Sequence, residues 1–412
     1  MAVQLAQQIA QSLERGIAAG VFPGGICCLL IGGRPAVTVA RGTVGVAEHA
    51  VPVAEDTVYD LASLTKVVAV LPLILLCVQR QKLSLADPAV RYLPELARGR
   101  DAAGKAKITV LQLLTHTSGL PAWRPFFLAC RGREAYLRAI AAEALAAEPG
   151  QRVIYSDLGF MLLGFLLERI WDEALDQLAH RLVFAPLGMR QTAYRPLDAW
   201  RGRSVRIAPT EDGNRYESQM VAEYLRNGSA HADSPLYAAV RERWPGFAWR
   251  TGVICGTVHD GNAHYGLAGV SGHAGLFSSV GDLARYMRVW TEPDGAGLLD
   301  PELRDFATRC HSGLLAPKRA LGWEKAAAGG TPEQLAAGSS GGEQVSPAAF
   351  GHTGFTGTSI WHDPLCRATL ITLTNRVHPR VSEQIRMWRR AHHNAVFAAI
   401  QAGGETQVRG GE

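Results

Sequence analysis

Short β-prone runs lie at the two ends of this chain, and helix-prone sequence fills the space between them. Near the start, Gly25 to Ile31 (GICCLLI) and Pro35 to Ala40 flank Gly32-Gly33, and two β-rich runs around such a pair read as a hairpin. Near the end, Thr358 to His362 and Arg367 to Thr374 read as strands. Apolar periodicity predicts helices at Met1 to Gly20, from Ser63 onward, within Lys107 to Gly150, over Leu158 to Leu182, at Asp282 to Trp290 and at Ser382 to Gln401. Strands from both termini bury their apolar faces by meeting in one sheet. The expected class is therefore α+β: an antiparallel sheet formed from both chain ends, flanked by helices, beside a mostly helical subdomain. A cleft between two such parts is a natural place for a site.

The chain of 412 residues suits one large domain with an insertion or two subdomains. The α/β part is expected at about 1–62 and 280–402, and the helical part at about 63–200. Residues 201–257, with Pro209, Pro235 and Pro245, read as an irregular insertion or lid. Lys325 to Ser346 is rich in Gly, Ser and Ala and reads as a linker. The Gly-rich end, 403–412, reads as a disordered tail.

The formal net charge is +5, but the 42 basic residues are spread out, with only short concentrations at Arg201 to Arg206 and Arg386 to Arg390. Nucleic-acid binding needs a concentrated basic face, so it is not expected. The longest apolar run, Val67 to Val78, falls well short of the roughly 20 residues of a membrane span, and no membrane association is expected. Val3, Ile9, Leu13 and Ile17 suit an amphipathic helix, and Gln7, Gln8, Gln11, Glu14 and Arg15 interrupt any secretory signal. Seven scattered cysteines without a CxxC pair read as free buried thiols, so a cytoplasmic location is expected.

Three short constellations carry chemistry. Ser63-Leu64-Thr65-Lys66 precedes the apolar helix, so Lys66 lies one turn from Ser63 and can reach its hydroxyl. A serine hydroxyl needs an adjacent base, and burial or nearby cations lower a lysine's pKa enough to serve. The plain alternative is an N-cap serine with an ordinary lysine. Tyr155-Ser156-Asp157 precedes the helix from Leu158, where a tyrosine beside a lysine can relay a proton; Ser156 or Asp157 equally suits an N-cap. Gly351-His352-Thr353-Gly354-Phe355-Thr356-Gly357-Thr358-Ser359 offers small residues and polar groups to a substrate lying along a strand edge, or is simply a Gly-rich strand entry.

The order S-x-x-K, Y-S-D, H-T-G resembles the S-x-x-K, S-D-N, K-T-G set of β-lactamases and penicillin-binding proteins. It is most similar to the class C β-lactamase-like branch, which includes D-amino peptidases and carboxylesterases with a tyrosine in the second motif. LLTHTSGLP at Leu113 to Pro121, PLGM at Pro186 to Met189, GVSGHAGLFSSVGD at Gly269 to Asp282 and LTNRVHP at Leu373 to Pro379 also look like this family. The resemblance runs from about Gly24 to the C-terminal helix, so 1–402 is expected to be one catalytic domain. It implies Ser63 as acylated nucleophile, Lys66 and Tyr155 sharing base and acid roles, and the N–H groups of Ser63 and Phe355 as oxyanion hole. It implies substrate contacts by Asp157, His352, Thr353, Gly354 and Phe355, a small-molecule or peptide-like acyl substrate, no metal and no cofactor. Asp157 stands where the family has asparagine and His352 where it has lysine, which favours an esterase-like activity over β-lactam turnover.

Two rivals remain: a weakly acylating binding module, and a scaffold using Tyr216, Tyr224, Trp244, Phe247 and Trp249 on the insertion as a surface or an acyl pocket. Gly338-Ser339-Ser340-Gly341-Gly342 matches G-x-S-x-G but lacks the strand and helix that motif requires. No histidines have zinc spacing; His259-Asp260 reads as orienting a loop, and His392-His393 as a helical pair with one imidazole exposed.

Overall fold

The computed structural model describes residues 2–228, 234–326 and 339–409. Strand β1 (Gly24–Ile31) turns through Gly32 and Gly33, at φ 58° and 80°, into β2 (Arg34–Gly42). Both turn residues have positive φ, which glycine adopts without strain and which matches the twist of a two-residue hairpin. After β3 (Val58–Asp60), β4 (Ala193–Tyr194), β5 (Leu276–Ser279) and β6 (Glu324–Lys325) come β7 (Phe350–Thr353), β8 (Ser359–Asp363) and β9 (Ala368–Thr374). The main sheet has the order β2-β1-β9-β8-β7-β6, with every pair antiparallel. Gly25 pairs with Thr374 and Ile31 with Ala368, so the two ends of the chain meet at the centre of the sheet, as expected.

The two-residue period of β1 sorts its side chains into two cores. Cys27 and Leu29 join a layer with Leu5, Ile9 and Leu13 of helix α1 (Ala2–Ala18) and Val396, Phe397 and Ile400 of the C-terminal helix. Ile26, Cys28 and Leu30 face the larger core of the helical part. A strand covered on both faces reads as the continuous apolar run GICCLLI, without polar alternation. The smaller sheet, β3-β5-β4, carries the residues immediately before Ser63 and binds them to the 276–279 segment.

Several expectations change. The helix from Leu158 does not run to Leu182: α3 (Asp157–Trp171) stops at Asp172, which is left-handed at φ 50°, and the chain restarts at Leu175–Ala179. Within the otherwise irregular 201–257 stretch the described residues form two helices, α4 (Arg215–Arg226) and α5 (Pro235–Arg243); proline at the first turn starts α5 instead of breaking it. The helix expected at Asp282 to Trp290 is present as α6 (Val280–Thr291), with Ser279 accepting the Asp282 N–H as its N-cap. The last helix, α7 (Ile385–Arg409), runs into the stretch 403–412 that reads from the sequence as a disordered tail, and residues 410–412 lie outside the described residues. His392 and His393 are both fully buried, because α7 packs against the sheet and Ser12, Thr372, Ser359 and Ser340 bond their ring nitrogens. Val3 is exposed, unlike Ile9 and Leu13. Most of the expected linker, 327–338, and Gly338 of the G-x-S-x-G match lie outside the described residues. No described helix is long and apolar enough to cross a membrane, and all seven cysteines are unpaired.

Candidate active site

Ser63 sits in a tight turn between β3 and helix α2 (Leu71–Gln79). The preceding Ala62 has φ 45°, a left-handed conformation that costs a non-glycine residue about 1–2 kcal/mol. The surroundings hold it there. Buried Asp60 accepts the Ala62 N–H at 2.9 Å and the His259 N–H at 2.8 Å. Leu61 N–H bonds Leu276 O, and Thr65 Oγ1 accepts the Leu276 N–H at 3.1 Å. Thr356 and Thr358 of the third constellation donate to the carbonyls of Asp60 and Leu61, at 2.6 and 3.2 Å. Gly354 packs so tightly that a Cβ there would lie 2.1 Å from Thr358 Oγ1 and 2.3 Å from Leu61 O. The third motif therefore builds the nucleophile turn as well as one wall of the pocket.

After Ser63 the helix opens into a π turn over Lys66–Val70 before α2. Pro72 has no N–H for the Val68 carbonyl, and the widened turn accommodates the ring. It also swings Lys66 into the core, where the side chain is fully buried and its Nζ has three partners: Ser63 Oγ at 2.8 Å, Asp157 Oδ1 at 2.7 Å and the His273 carbonyl at 3.1 Å. The contacts to Ser63 Oγ and the His273 carbonyl are hydrogen bonds, whereas Asp157 Oδ1 faces the ammonium as its counter-ion and accepts no hydrogen bond among the described residues. Burial pulls Lys66 toward neutrality, but the Asp157 carboxylate and then the Tyr155 phenol outweigh it, and the pKa lies above lysine's ordinary value. A lysine pKa lowered by burial and cations was expected from the sequence. The ion pair with Asp157 reverses that direction.

Tyr155, Ser156 and Asp157 divide the labour at the start of α3. Ser156 is the N-cap, accepting the Gly159 N–H at 3.3 Å and donating to Pro121 O at 2.6 Å. Tyr155 and Asp157 on either side reach the nucleophile pocket. Lys66 Nζ lies 4.9 Å from the Tyr155 ring centre. His116 Nδ1 accepts the Ser156 N–H at 3.0 Å, and its ring packs 4.5 Å from the Tyr155 ring, fixing the tyrosine from behind. Burial, then Arg319 and Lys66, hold His116 well below the usual imidazole range, so the ring is neutral.

His352 on β7 is also buried and neutral; burial, then Lys66 and Arg319, push its pKa well down. Its Nδ1 donates to Thr353 O at 2.8 Å, leaving Nε2 as an acceptor without a partner among the described residues. The N–H groups of Ser63 and Phe355 have no acceptor among the described residues, and both residues line one cavity of about 410 Å³.

Tyr155, Asp157, His352, Thr353 and Gly354 line that cavity with Ser63 and Phe355, and Lys66 lies directly behind Ser63. All eight residues singled out from the sequence thus come together. Asp60, His116, Arg319, Arg376, Arg389 and Glu217 were not singled out, and Asp260 was named only beside His259 as part of a loop-orienting pair. His116 and Arg376 lie in the family-like stretches LLTHTSGLP and LTNRVHP, and the others carried no signal. Tyr216 reaches the cavity from α4, whereas Trp244, Phe247 and Trp249 stack with Phe127 and Tyr265 in a separate aromatic cluster, and Tyr224 is buried. His259 bonds Glu211 at 3.0 Å and packs on Phe355, consistent with a loop-orienting residue. Ser340 bonds Glu324 at 2.9 Å and Trp361 at 3.2 Å and does not line the cavity. No group of three potential metal ligands occurs among the described residues.

The Beta-lactamase family model matches residues 8–395. A putative D-alanyl-D-alanine carboxypeptidase of Salmonella agona is 32% identical over 349 residues, covering 81% of this chain and 73% of that protein. Three solved structures share the fold. EstCE1, a hydrolase with promiscuous acyltransferase activity, has a TM-score of 0.68 at 20% identity, covering 95% of this chain and 99% of its own. A class C beta lactamase from Rhodobacter sphaeroides has a TM-score of 0.65 at 20% identity, covering 96% and 99%. The D-alanine carboxypeptidase AmpC of Burkholderia cenocepacia has a TM-score of 0.64 at 18% identity, covering 97% and 100%. With a family model spanning nearly the whole sequence, the chain belongs to the Beta-lactamase family and is a serine hydrolase.

Proposed function

We propose that the protein hydrolyses carboxylic esters through an acyl-enzyme on Ser63, with Lys66 acting as a fixed cation and Tyr155 as the proton carrier. The observation behind this reading is the buried Lys66 ammonium, which donates to Ser63 Oγ and is paired with the Asp157 carboxylate. A lysine kept charged by its carboxylate has no lone pair with which to take the Ser63 proton. It instead lowers the cost of negative charge on Ser63 Oγ and on the Tyr155 oxygen beside it. In the reactive form the Lys66–Tyr155 pair holds one proton fewer than its full complement, carried by the amine. Ser63 Oγ attacks the ester carbon, its proton passes to the Tyr155 oxygen, and the carbonyl oxygen takes the bond electrons. The N–H groups of Ser63 and Phe355 receive that oxyanion. Collapse expels the alkoxide, which takes the proton back from Tyr155. Water repeats the sequence in reverse order and frees Ser63.

Asp157 is committed to Lys66 and, as a carboxylate, offers no donor to the side-chain amide of a β-lactam. We therefore expect a short-chain nitrophenyl ester to be turned over with a higher kcat/KM than nitrocefin, and a clear preference for nitrocefin would reverse this ranking. A catalytically weak, penicillin- or peptide-binding module is the second reading; it is disfavoured because serine, lysine and tyrosine are all in place. The seven unpaired thiols support work in a reducing compartment, the cytoplasm.

Asp157→Asn tests the role of the ion pair. The carboxylate holds the Lys66 pKa above its ordinary value, against burial. Charged Lys66 persists below that folded-state pKa and is lost as pH rises through it. Without the carboxylate, burial dominates and the pKa falls, so the high-pH limb of kcat/KM should move to lower pH. If neutral Lys66 were the working base, the variant would instead gain activity near neutral pH.

A further inference from the structure

The carbonyl that accepts from Lys66 belongs to a stretch of chain with little backbone support. Residues 271–275 lead into β5, and their N–H and C=O groups make no backbone-to-backbone hydrogen bond among the described residues. Gly272 presses on α3, where a Cβ would lie 2.1 Å from Phe160 O. Side chains hold the rest. The Tyr194 hydroxyl donates to Ser271 O at 3.1 Å. The His273 ring is buried and bonded at both nitrogens, Nδ1 to Ser271 Oγ at 2.7 Å and Nε2 to Asp260 Oδ1 at 3.0 Å. The carbonyl of the same residue receives Lys66 Nζ at 3.1 Å.

Asp260 is itself fixed. Its Oδ1 also accepts the Ala263 N–H at 2.7 Å. Its neighbour His259 donates its N–H to Asp60, the carboxylate that holds Ala62 in the nucleophile turn. The segment His259-Asp260 therefore registers two things at once: the turn that presents Ser63 and, through the His273 ring, an acceptor of Lys66. Burial works against the Asp260 carboxylate, but the contact with His273 outweighs it and brings the carboxyl down to about 2, so the acceptor stays ionised. The other titratable groups around this pair are His259, Asp60, Tyr136 and, from α4, Glu217, whose carboxyl is pushed well up by burial and then by Asp260. A peptide without ladder bonds needs such a tether, because the buried ammonium loses an acceptor whenever that peptide turns away.

We propose that Asp260 and His273 are positioning residues for Lys66: the hydrogen bond between their side chains tethers the His273 carbonyl on the ammonium and so fixes the cation beside Ser63. This rests on the hydrolase reading above and extends the machinery of the same site. A hydrogen bond to the ammonium favours its charged form, so losing the tether lets burial pull the Lys66 pKa down. Charged Lys66 is present below its folded-state pKa and lost above it, so the high-pH limb of activity moves to lower pH. Asp157, Tyr155, His116 and His352, the titratable groups that face Lys66, stay in place.

The test compares Asp260→Ala and His273→Leu, which break the tether, with Asp260→Asn and His273→Gln, which keep an acceptor and a donor for it. Thermal denaturation shows which variants fold. The first pair should lower kcat for a nitrophenyl ester by at least about 10-fold, the size of one hydrogen bond to a charged group, with KM little changed and the high-pH limb displaced downward. The second pair should retain most of the rate and the wild-type profile. Ser271→Ala, a smaller change beside the same ring, should move the limb in the same direction by less, and it decides the question if the larger replacements do not fold. An unchanged pH profile in every folded variant would overturn the tether. Equal losses in Asp260→Ala and Asp260→Asn would also overturn it, by assigning the effect to charge. The same variants are labelled at Ser63 with a fluorophosphonate across the pH range, a readout that needs no ester turnover. No ester hydrolysis by the wild-type protein, with the labelling profile still displaced in Asp260→Ala, would overturn the ester reading and leave the tether standing.

Discussion

Ser63→Ala should lower ester hydrolysis by about 10⁴-fold or more while leaving the protein folded, in line with the loss seen when a hydrolase nucleophile is removed. The Ser63 side chain is only partly buried and its one side-chain hydrogen bond is to Lys66. Removing it leaves Lys66 with Asp157 and the His273 carbonyl, so the stability cost should stay near about 1 kcal/mol. Strain at Ala62 is held by Asp60, Thr356 and Thr358, none of which depends on the serine hydroxyl. The check is a nitrophenyl ester assay beside thermal denaturation. A folded variant with near wild-type turnover would remove Ser63 from the chemistry. Ser340→Ala, in the G-x-S-x-G match, serves as the comparison and should keep its rate, because Ser340 lies outside the cavity.

Tyr155→Phe and Lys66→Ala should each slow acylation by at least about 10²-fold, the lower end of what a positioned proton-transfer group contributes. Tyr155→Phe removes only the proton carrier; the ring keeps its packing on His116 and beneath Arg319, so the protein should remain folded. Lys66→Ala removes the cation and strands Asp157. Breaking a buried ion pair costs about 3–5 kcal/mol, and less here because the Asp157 side chain is 19% exposed. Residues that act as one unit are not additive, so the double variant should be much less impaired than the product of the single effects. Stopped-flow acylation by a chromogenic ester measures all three. Independent, multiplying losses would show that lysine and tyrosine act at separate steps.

The features legible in the sequence are those written in local spacing. The hairpin was visible because Gly32-Gly33 separates two β-rich runs, and the meeting of both chain ends because GICCLLI is apolar on both faces. Ser63 and Lys66 were visible because three residues make one helical turn. What stayed hidden depends on partners distant in sequence. The direction of the Lys66 pKa is set by Asp157, 91 positions later, and the strain at Ala62 is held by threonines almost 300 positions away. His392-His393 looked half exposed because helical spacing alone does not show that serines and threonines of the sheet lie beneath both rings.

The most direct test of Ser63 as nucleophile needs no knowledge of the natural ester. The protein is exposed to a fluorophosphonate probe, weighed intact, and the adduct located by peptide mapping. One adduct per chain, on Ser63 and lost in Ser63→Ala, is the predicted result. No adduct, or an adduct on another residue that survives the Ser63→Ala substitution, would contradict it.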